Sequence, residues 1–198
     1  AYYPGGHPIS IKTLYDPQTG KILGAQLVGF DGVDKRCDVL ATAIRAGMTA
    51  QDLTQLELCY APPFGSAKDP VNFIGYVIEN TRSGRVRTFH WHDVAALPRD
   101  GSVTLLDVRT PGEYEAGHIQ GFQNIPLDSL RDHLDGLDPQ KPVYVHCHSG
   151  LRSYLACCIL GGRGFSCWNL SGGFRLYDSV IRDQATPPHP CYEPQGDQ

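Results

Sequence analysis

The stretch Pro142-Val143-Tyr144-Val145-His146-Cys147-His148-Ser149-Gly150-Leu151-Arg152-Ser153 decides how this chain is read. Its first five residues form a short apolar run with the length and composition of a buried strand. Over residues 151–160 apolar positions recur at helical spacing, and Gly161-Gly162 follow as a stop. Strand, cysteine, tight turn and helix together make a nucleophile. The loop N–H groups can curl around the Cys147 sulfur, and the helix N-terminus adds partial positive charge beneath it. A thiol in such a place is biased toward the thiolate. The same donors suit an anion attached to the sulfur or approaching it. Packing alone is the weaker reading of this cysteine, because a glycine-containing turn at a helix start serves chemistry better than burial.

Working outward, strands and helices alternate through the second half of the chain. Residues 85–90 suggest an edge strand and 93–97 a short helix. Val103-Thr104-Leu105-Leu106-Asp107 reads as a buried strand. Thr110-Pro111-Gly112-Glu113 is a capping box with Pro at the first helical position. A brief strand at 124–125, a helix over 127–134, a strand at 166–170 and a helix over 174–181 complete the pattern. The alternation predicts an α/β domain with a central, mostly parallel sheet. In such sheets sites gather at the carboxyl ends of the strands, where both Cys147 and Asp107 fall.

The first half has a different pattern. Residues 9–15 and 22–29 flank the turn cluster Asp16-Pro17-Gln18-Thr19-Gly20 and predict a β-hairpin. A helix over 34–46 ends at Gly47, and Leu56-Glu57-Leu58-Cys59-Tyr60 looks extended. Asp69-Pro70 opens a further helix over 71–80. This is an α+β arrangement. The polar segment Thr81-Arg82-Ser83-Gly84-Arg85 separates the halves, giving expected domains at 1–83 and 86–182. A tail at 183–198, with Pro187-Pro188 and Pro190, is expected to be loose.

Composition narrows the functional classes. The net charge of −4 and the lack of basic runs argue against a nucleic-acid surface. No apolar stretch reaches the ~20 residues needed to span a bilayer. The seven cysteines contain no C-x-x-C pair, so neither a zinc ribbon nor a thioredoxin-type dithiol is indicated, and no metal site is expected. Free thiols in a reducing cytoplasm are the simplest reading. Core packing suffices for Cys37, Cys167 and at least one of Cys157 and Cys158, while Cys191 falls in the tail. The sequence opens at Ala1 inside patterned sequence and is read as a piece of something longer.

Leu106-Asp107-Val108-Arg109, Glu113-Tyr114, Gly117-His118-Ile119, Gly121, Asn124-Ile125-Pro126, the Cys147 loop and Asn169-Leu170-Ser171-Gly172-Gly173 resemble the rhodanese family in order and spacing. The resemblance covers about residues 86–182 and implies a sulfurtransferase: Cys147 takes a sulfane sulfur as a persulfide and passes it to a thiol acceptor. Four residues, His148, Ser149, Gly150 and Leu151, separate Cys147 from Arg152. A protein tyrosine phosphatase loop has one more, so this loop is too tight for a phosphoryl group yet suits a terminal sulfur. The amides of residues 148–152 are expected to hold the persulfide. Arg152 either steers an anionic donor such as thiosulfate or polysulfide, or turns inward and braces the loop. A structural ion pair or loop anchor is favoured for Asp107 and Arg109, and exposure or packing for His148 and His118. Phe122 departs from the small residue usual in the family after Gly121.

Tyr2-Tyr3-Pro4-Gly5, Gly24-Ala25-Gln26-Leu27-Val28-Gly29, Asp34-Lys35-Arg36 and the run from Cys59-Tyr60-Ala61-Pro62-Pro63-Phe64 to Asp69-Pro70-Val71-Asn72 resemble the dimerisation domain of flavin disulfide reductases. The nearest members are coenzyme A disulfide reductases and persulfide reductases, some of which carry a C-terminal rhodanese domain. The resemblance implies a homodimer in which Tyr60, and Tyr2 or Tyr3, contact substrate across the dimer. It also implies FAD, NAD(P)H and possible coenzyme A use in a complete parent. The flavin and nicotinamide domains and the start of the dimerisation domain are missing from this sequence, which contains no G-x-G-x-x-G. The competing expectations are a non-catalytic dimerisation and docking module, and a phosphatase.

Overall fold

The structure is a computed structural model that describes residues 4–186. The chain divides between Arg85 and Val86 into two compact units.

In the first unit, β1 (Ser10–Tyr15) and β2 (Ile22–Val28) form an antiparallel hairpin paired from Ser10↔Val28 to Leu14↔Gly24, with the register shifting before Tyr15↔Ile22. Asp16 closes the turn by accepting the Gln18 and Thr19 N–H groups, each at 2.8 Å. Three helices follow: α1 (Val33–Ala46), α2 (Ala50–Gln55) and α3 (Pro70–Arg82). Gly47 ends α1 in the left-handed conformation with φ 72°, its N–H reaching back to Ala43 and Ile44. Asp69 caps α3 ahead of Pro70, and Asn72 Nδ2 donates to the Leu53 and Leu56 carbonyls at 2.9 Å. Leu40, Ala43, Leu53, Val71 and Ile78 pack with Ile22 as this unit's core. The α2–α3 crossing is close: a Cβ on Gly75 would lie 2.5 Å from the Ala50 carbonyl oxygen.

The second unit holds one five-stranded, all-parallel sheet in the order β3-β7-β6-β4-β5. Its strands are β3 (Arg87–Phe89), β4 (Thr104–Asp107), β5 (Gln123–Asn124), β6 (Val143–His146) and β7 (Cys167–Leu170). The helices are α4 (Pro111–Glu115), α5 (Leu151–Gly161) and α6 (Gly173–Ala185), with 3-10 segments at Trp91–Ala96 and Leu127–Gly136. Alternating residues feed two cores, as expected for a sheet covered on both faces. Leu106, Val143 and Val145 pack with Leu130, Ala156 and Leu160, while Leu105 joins Phe89, Ile119 and Phe122 on the other side. Strand β6 is central, so Cys147 leaves the middle of the sheet at its carboxyl edge.

Several expectations change. The helix α2 has no counterpart in the sequence reading; it is short, and its capping box of Thr49 and Asp52 is its clearest signal. Leu56-Glu57-Leu58-Cys59-Tyr60 forms no strand, because Leu56 and Leu58 pack singly on the core without a partner strand. Residues 183–185 are not loose. They continue α6, since no breaker occurs until Thr186 turns extended ahead of Pro187. Cys37 is exposed rather than core, because the buried stripe of α1 runs through Arg36, Leu40 and Ala43. Cys157 is buried and Cys158 exposed. Cys191, Tyr2 and Tyr3 lie outside the described residues.

Candidate functional site

Gly150, with φ 111°, turns the chain from Cys147 into α5 and aims its own N–H at the Cys147 sulfur, 3.1 Å away. Ser153, one turn into α5 and fully buried, places its hydroxyl 3.3 Å from the same sulfur. These are the donors that reach the sulfur among the described residues, so one of the loop amides expected to surround it does so here. Cys147 itself is 1% exposed. Sequence reasoning stopped its count at Arg152 and missed Ser153; the signal was a hydroxyl residue directly after the loop.

The loop is held from three sides. Asn169 Nδ2, from β7, donates to the Gly150 carbonyl at 3.1 Å. The N-terminus of α6 donates from Phe174 N to the Cys147 carbonyl at 2.8 Å and from Arg175 N to that of His148 at 2.9 Å. That approach requires glycine at 173: its φ is 61°, and a Cβ there would sit 2.6 Å from the His148 oxygen and 2.7 Å from that of Cys147. On the third side Arg152 forms a two-pronged pair with Glu113 of α4, at 2.7 and 2.6 Å. Glu113 also completes the capping box of α4 through Thr110. The Arg152 hydrogen bonds, opposed in part by burial, hold its carboxyl down at about 2. Arg152 thus braces the loop in this structure.

Beneath the loop lies a buried polar cluster. Arg109 Nε lies 3.0 Å from both Asp107 carboxylate oxygens and Nη2 2.7 Å from Oδ2. Nη2 also donates to the Gly117 carbonyl at 2.7 Å. The guanidinium carbon stands 4.1 Å over the Phe174 ring. The Asp107–Arg109 pair is the ion pair expected for these two residues, and Asn124 ties both their carbonyls together at 2.9 Å. His146, which the sequence pattern marks only as the end of a strand, is fully buried beside Asp107. Its Nδ1 is 3.3 Å from the Cys147 carbonyl and its Nε2 3.5 Å from Asp107 Oδ2. Both neighbours are acceptors, and a neutral ring has one N–H, so it serves one at a time. Burial pushes the His146 pKa down to about 4, against the pull of Asp107, so the ring is neutral at pH 7. Phe122, the residue that departs from the family, packs edge-on against this ring at 4.8 Å.

An open depression of about 260 Å³ beside the loop is lined by Arg109, Glu113, Ala116, Gly117, His148 and Phe174. His148, Ser149 and Leu151 are exposed. His118 is exposed and stacks on Tyr114 at 4.0 Å. Tyr60, in the first unit, is 55% exposed. The loop after it is anchored by the buried Arg36–Asp69 pair at 2.9 Å, with Arg36 also donating to the Phe64 carbonyl at 3.3 Å. Among the described residues no cluster of three or more His, Cys, Asp or Glu could hold a metal ion. None of their helices is long and apolar enough to cross a membrane.

A buried thiol at a helix N-terminus, following the central strand of a parallel sheet on a loop of four residues, defines a rhodanese-like domain. Residues 90–179 match the rhodanese-like domain family, and residues 1–70 match the pyridine nucleotide-disulphide oxidoreductase dimerisation domain. The two matches place a dimerisation domain and a rhodanese-like domain in one chain. Over 92% of its length it superposes on the crystal structure of reduced Bacillus anthracis CoADR-RHD with TM-score 0.88 and 47% identity, covering 32% of that chain. It also matches an NAD-dependent persulfide reductase from A. fulgidus with TM-score 0.77 and 37% identity, covering 89% of this chain and 31% of that one. A coenzyme A disulfide reductase of Staphylococcus aureus (strain bovine RF122 / ET3-1) is 47% identical over 75 residues, 38% of this chain and 17% of the relative. The chain therefore spans about a third of the solved relatives and less of the curated one.

Proposed function

We propose that this chain transfers sulfane sulfur through a persulfide on Cys147, as the C-terminal part of a coenzyme A disulfide, persulfide or polysulfide reductase. The observation that supports this most directly is the Cys147 sulfur facing the Gly150 N–H and Ser153 hydroxyl at the start of α5. Cys147, as thiolate, attacks the outer sulfur of a donor such as thiosulfate or a persulfide. The new S–S bond forms as the donor's S–S bond breaks, releasing sulfite or a thiolate that takes up a proton. An acceptor thiolate then attacks the outer sulfur of the enzyme persulfide and regenerates Cys147. The Gly150 and Ser153 donors, the other amides of residues 148–152 and the α5 N-terminus stabilise the anionic sulfur at both stages. Charge-assisted hydrogen bonds of this kind contribute about 1.5–3 kcal/mol each. Asp107, Arg109 and Arg152 act by holding the loop.

Residues 1–83 act in this reading as the dimerisation module of a cytoplasmic homodimer, with Tyr60 facing substrate near the partner's flavin. Exposed Phe30, Phe64, Phe73 and Val77 favour that role. FAD and NAD(P)H belong to further domains of the parent, and coenzyme A is a candidate carrier of the sulfur. No chemistry assigned to this chain passes through a flavin. The decisive test is incubation with thiosulfate, then with a low-molecular-weight persulfide, followed by intact mass. Wild-type protein is expected to gain one sulfur and Cys147→Ser none. If wild type stays unmodified with both donors, the chain is a docking module instead.

A further inference from the structure

Two guanidinium groups stand beside the Cys147 loop, and each is matched by a carboxylate. Arg109 is held on Asp107 at 2.7 to 3.0 Å. Arg152, which directly precedes Ser153 in α5, is held on Glu113 by two prongs of 2.7 and 2.6 Å. A fork of this kind fixes a guanidinium firmly, because both bonds must break for it to turn away. Glu113 also lines the depression beside the loop. The four side chains carry no net charge between them. A dianion approaching the Cys147 thiolate therefore meets a like charge, with no unmatched guanidinium from these pairs to offset it. Arg109 cannot be released for that task, because Asp107 would be left buried and unpaired. The Arg152–Glu113 pair differs. Each of its side chains is a third exposed, so water can meet either one once its partner is gone.

We propose that Glu113 sets the choice of sulfur donor, by holding Arg152 as a brace and so withholding the guanidinium that could receive a doubly charged donor. This rests on the sulfur-transfer reading of Cys147 and adds a donor class to it: a low-molecular-weight persulfide whose organic group is uncharged, ahead of thiosulfate. Thiosulfate brings two negative charges to the mouth, and such a persulfide brings one at most. The chemical step is the same with either. The Cys147 sulfur bonds to the outer sulfur of the donor, the donor's S–S bond breaks, and its electron pair leaves on sulfite or on the organic thiolate. The donors differ in their approach, and there an unmatched guanidinium counts. Glu113 is thus a positioning residue that acts through Arg152.

Two substitutions break the same pair from opposite sides. Glu113→Gln removes the charge and keeps the shape, and its side-chain oxygen can still accept the Thr110 N–H that completes the capping box of α4. Arg152→Gln leaves the Glu113 carboxylate unmatched at the depression. If the pair only braces the loop, both variants shift loading from every donor in the same sense. If it selects the donor, the shifts are opposite. Rates of sulfur gain on Cys147 of the full chain are measured by intact mass, with thiosulfate and with the persulfide of 2-mercaptoethanol. Wild type is expected to load faster from the persulfide. The thiosulfate-to-persulfide rate ratio should rise about tenfold in Glu113→Gln, less so at high salt, and fall about tenfold in Arg152→Gln. Should one variant fail to fold, the ratio in the other decides. A ratio that keeps its wild-type value, or that moves the same way in both variants, would overturn the proposal and leave Cys147 as the sulfur carrier. So would wild-type loading from thiosulfate as fast as from the persulfide. No sulfur on wild-type Cys147 from either donor would instead overturn the sulfur-transfer reading, and the donor choice with it.

Discussion

Ser153 has one hydroxyl proton and two acceptors within reach, the Cys147 sulfur at 3.3 Å and the Gly150 carbonyl at 3.2 Å. A sulfur that gains negative charge draws that proton to itself, so the hydroxyl counts for more in the charged state than in the resting one. Ser153→Ala is expected to slow sulfur loading of Cys147 by about tenfold or more, the equivalent of one charge-assisted hydrogen bond. Loading rates by mass spectrometry would read this, and an unchanged rate would remove Ser153 from the site. His146 sets a pH dependence of its own. Its folded pKa of about 4 lies below the unfolded value near 6.5. Between these values the unfolded chain binds a proton that the folded chain refuses. Stability therefore falls as pH drops from about 6.5 to about 4, by up to roughly 3 kcal/mol, and this loss is complete below that window. Urea melts at several pH values should show the slope in wild type and a flatter profile in His146→Gln. Glu113 acts lower, its contribution fading from about 4.5 toward 2 as acid releases Arg152. With both partners a third exposed, that loss is small.

Among the elements, the approach of α6 to the loop depends most on one residue. Gly173→Ala combines an unfavourable positive φ with a clash against two carbonyl oxygens. A cost of about 1–3 kcal/mol is expected, together with slower sulfur loading, because the Phe174 and Arg175 N–H groups would shift off the loop. Thermal melting and loading assays on the same protein would check both. A stable variant with normal loading would show that the α6 N-terminus is not needed. At this scale the sequence was readable wherever its signal was local. The strand at Val143–His146 and the start of α5 at Leu151 emerge as expected, and so does the capping box at Thr110. Helix α2, at six residues, is too short to show a periodicity. Whether Arg152 would steer an anion or brace the loop could not be read from the chain. Its partner Glu113 lies 39 residues away and meets it only once the sheet has formed. His146 looked like one more residue of an apolar strand, and only the register Asp107↔His146 puts a carboxylate beside it.

At the scale of the whole molecule, each unit has its own apolar core. The first unit leaves large apolar side chains in solvent. Phe73 and Val77 sit one helical turn apart on α3, 54% and 61% exposed, and Phe30 is 91% exposed. Exposure on that scale is expected of a surface that pairs. Sedimentation over a range of concentrations should show a dimer, weakened about tenfold or more by Phe73→Glu. A monomer at every concentration would mean that residues 1–83 do not suffice for assembly. In the second unit, the mouth of the site is assembled from segments distant in sequence: Arg109 through Gly117 on one side, His148 on another, and Phe174 on the third. The sulfur is held by the Gly150 N–H and the Ser153 hydroxyl at the start of α5, while Ala116 at the rim touches neither of them. In the proposed sulfur transfer, a change at Ala116 would therefore alter which molecules reach Cys147 while the thiol and its two donors stay as they are.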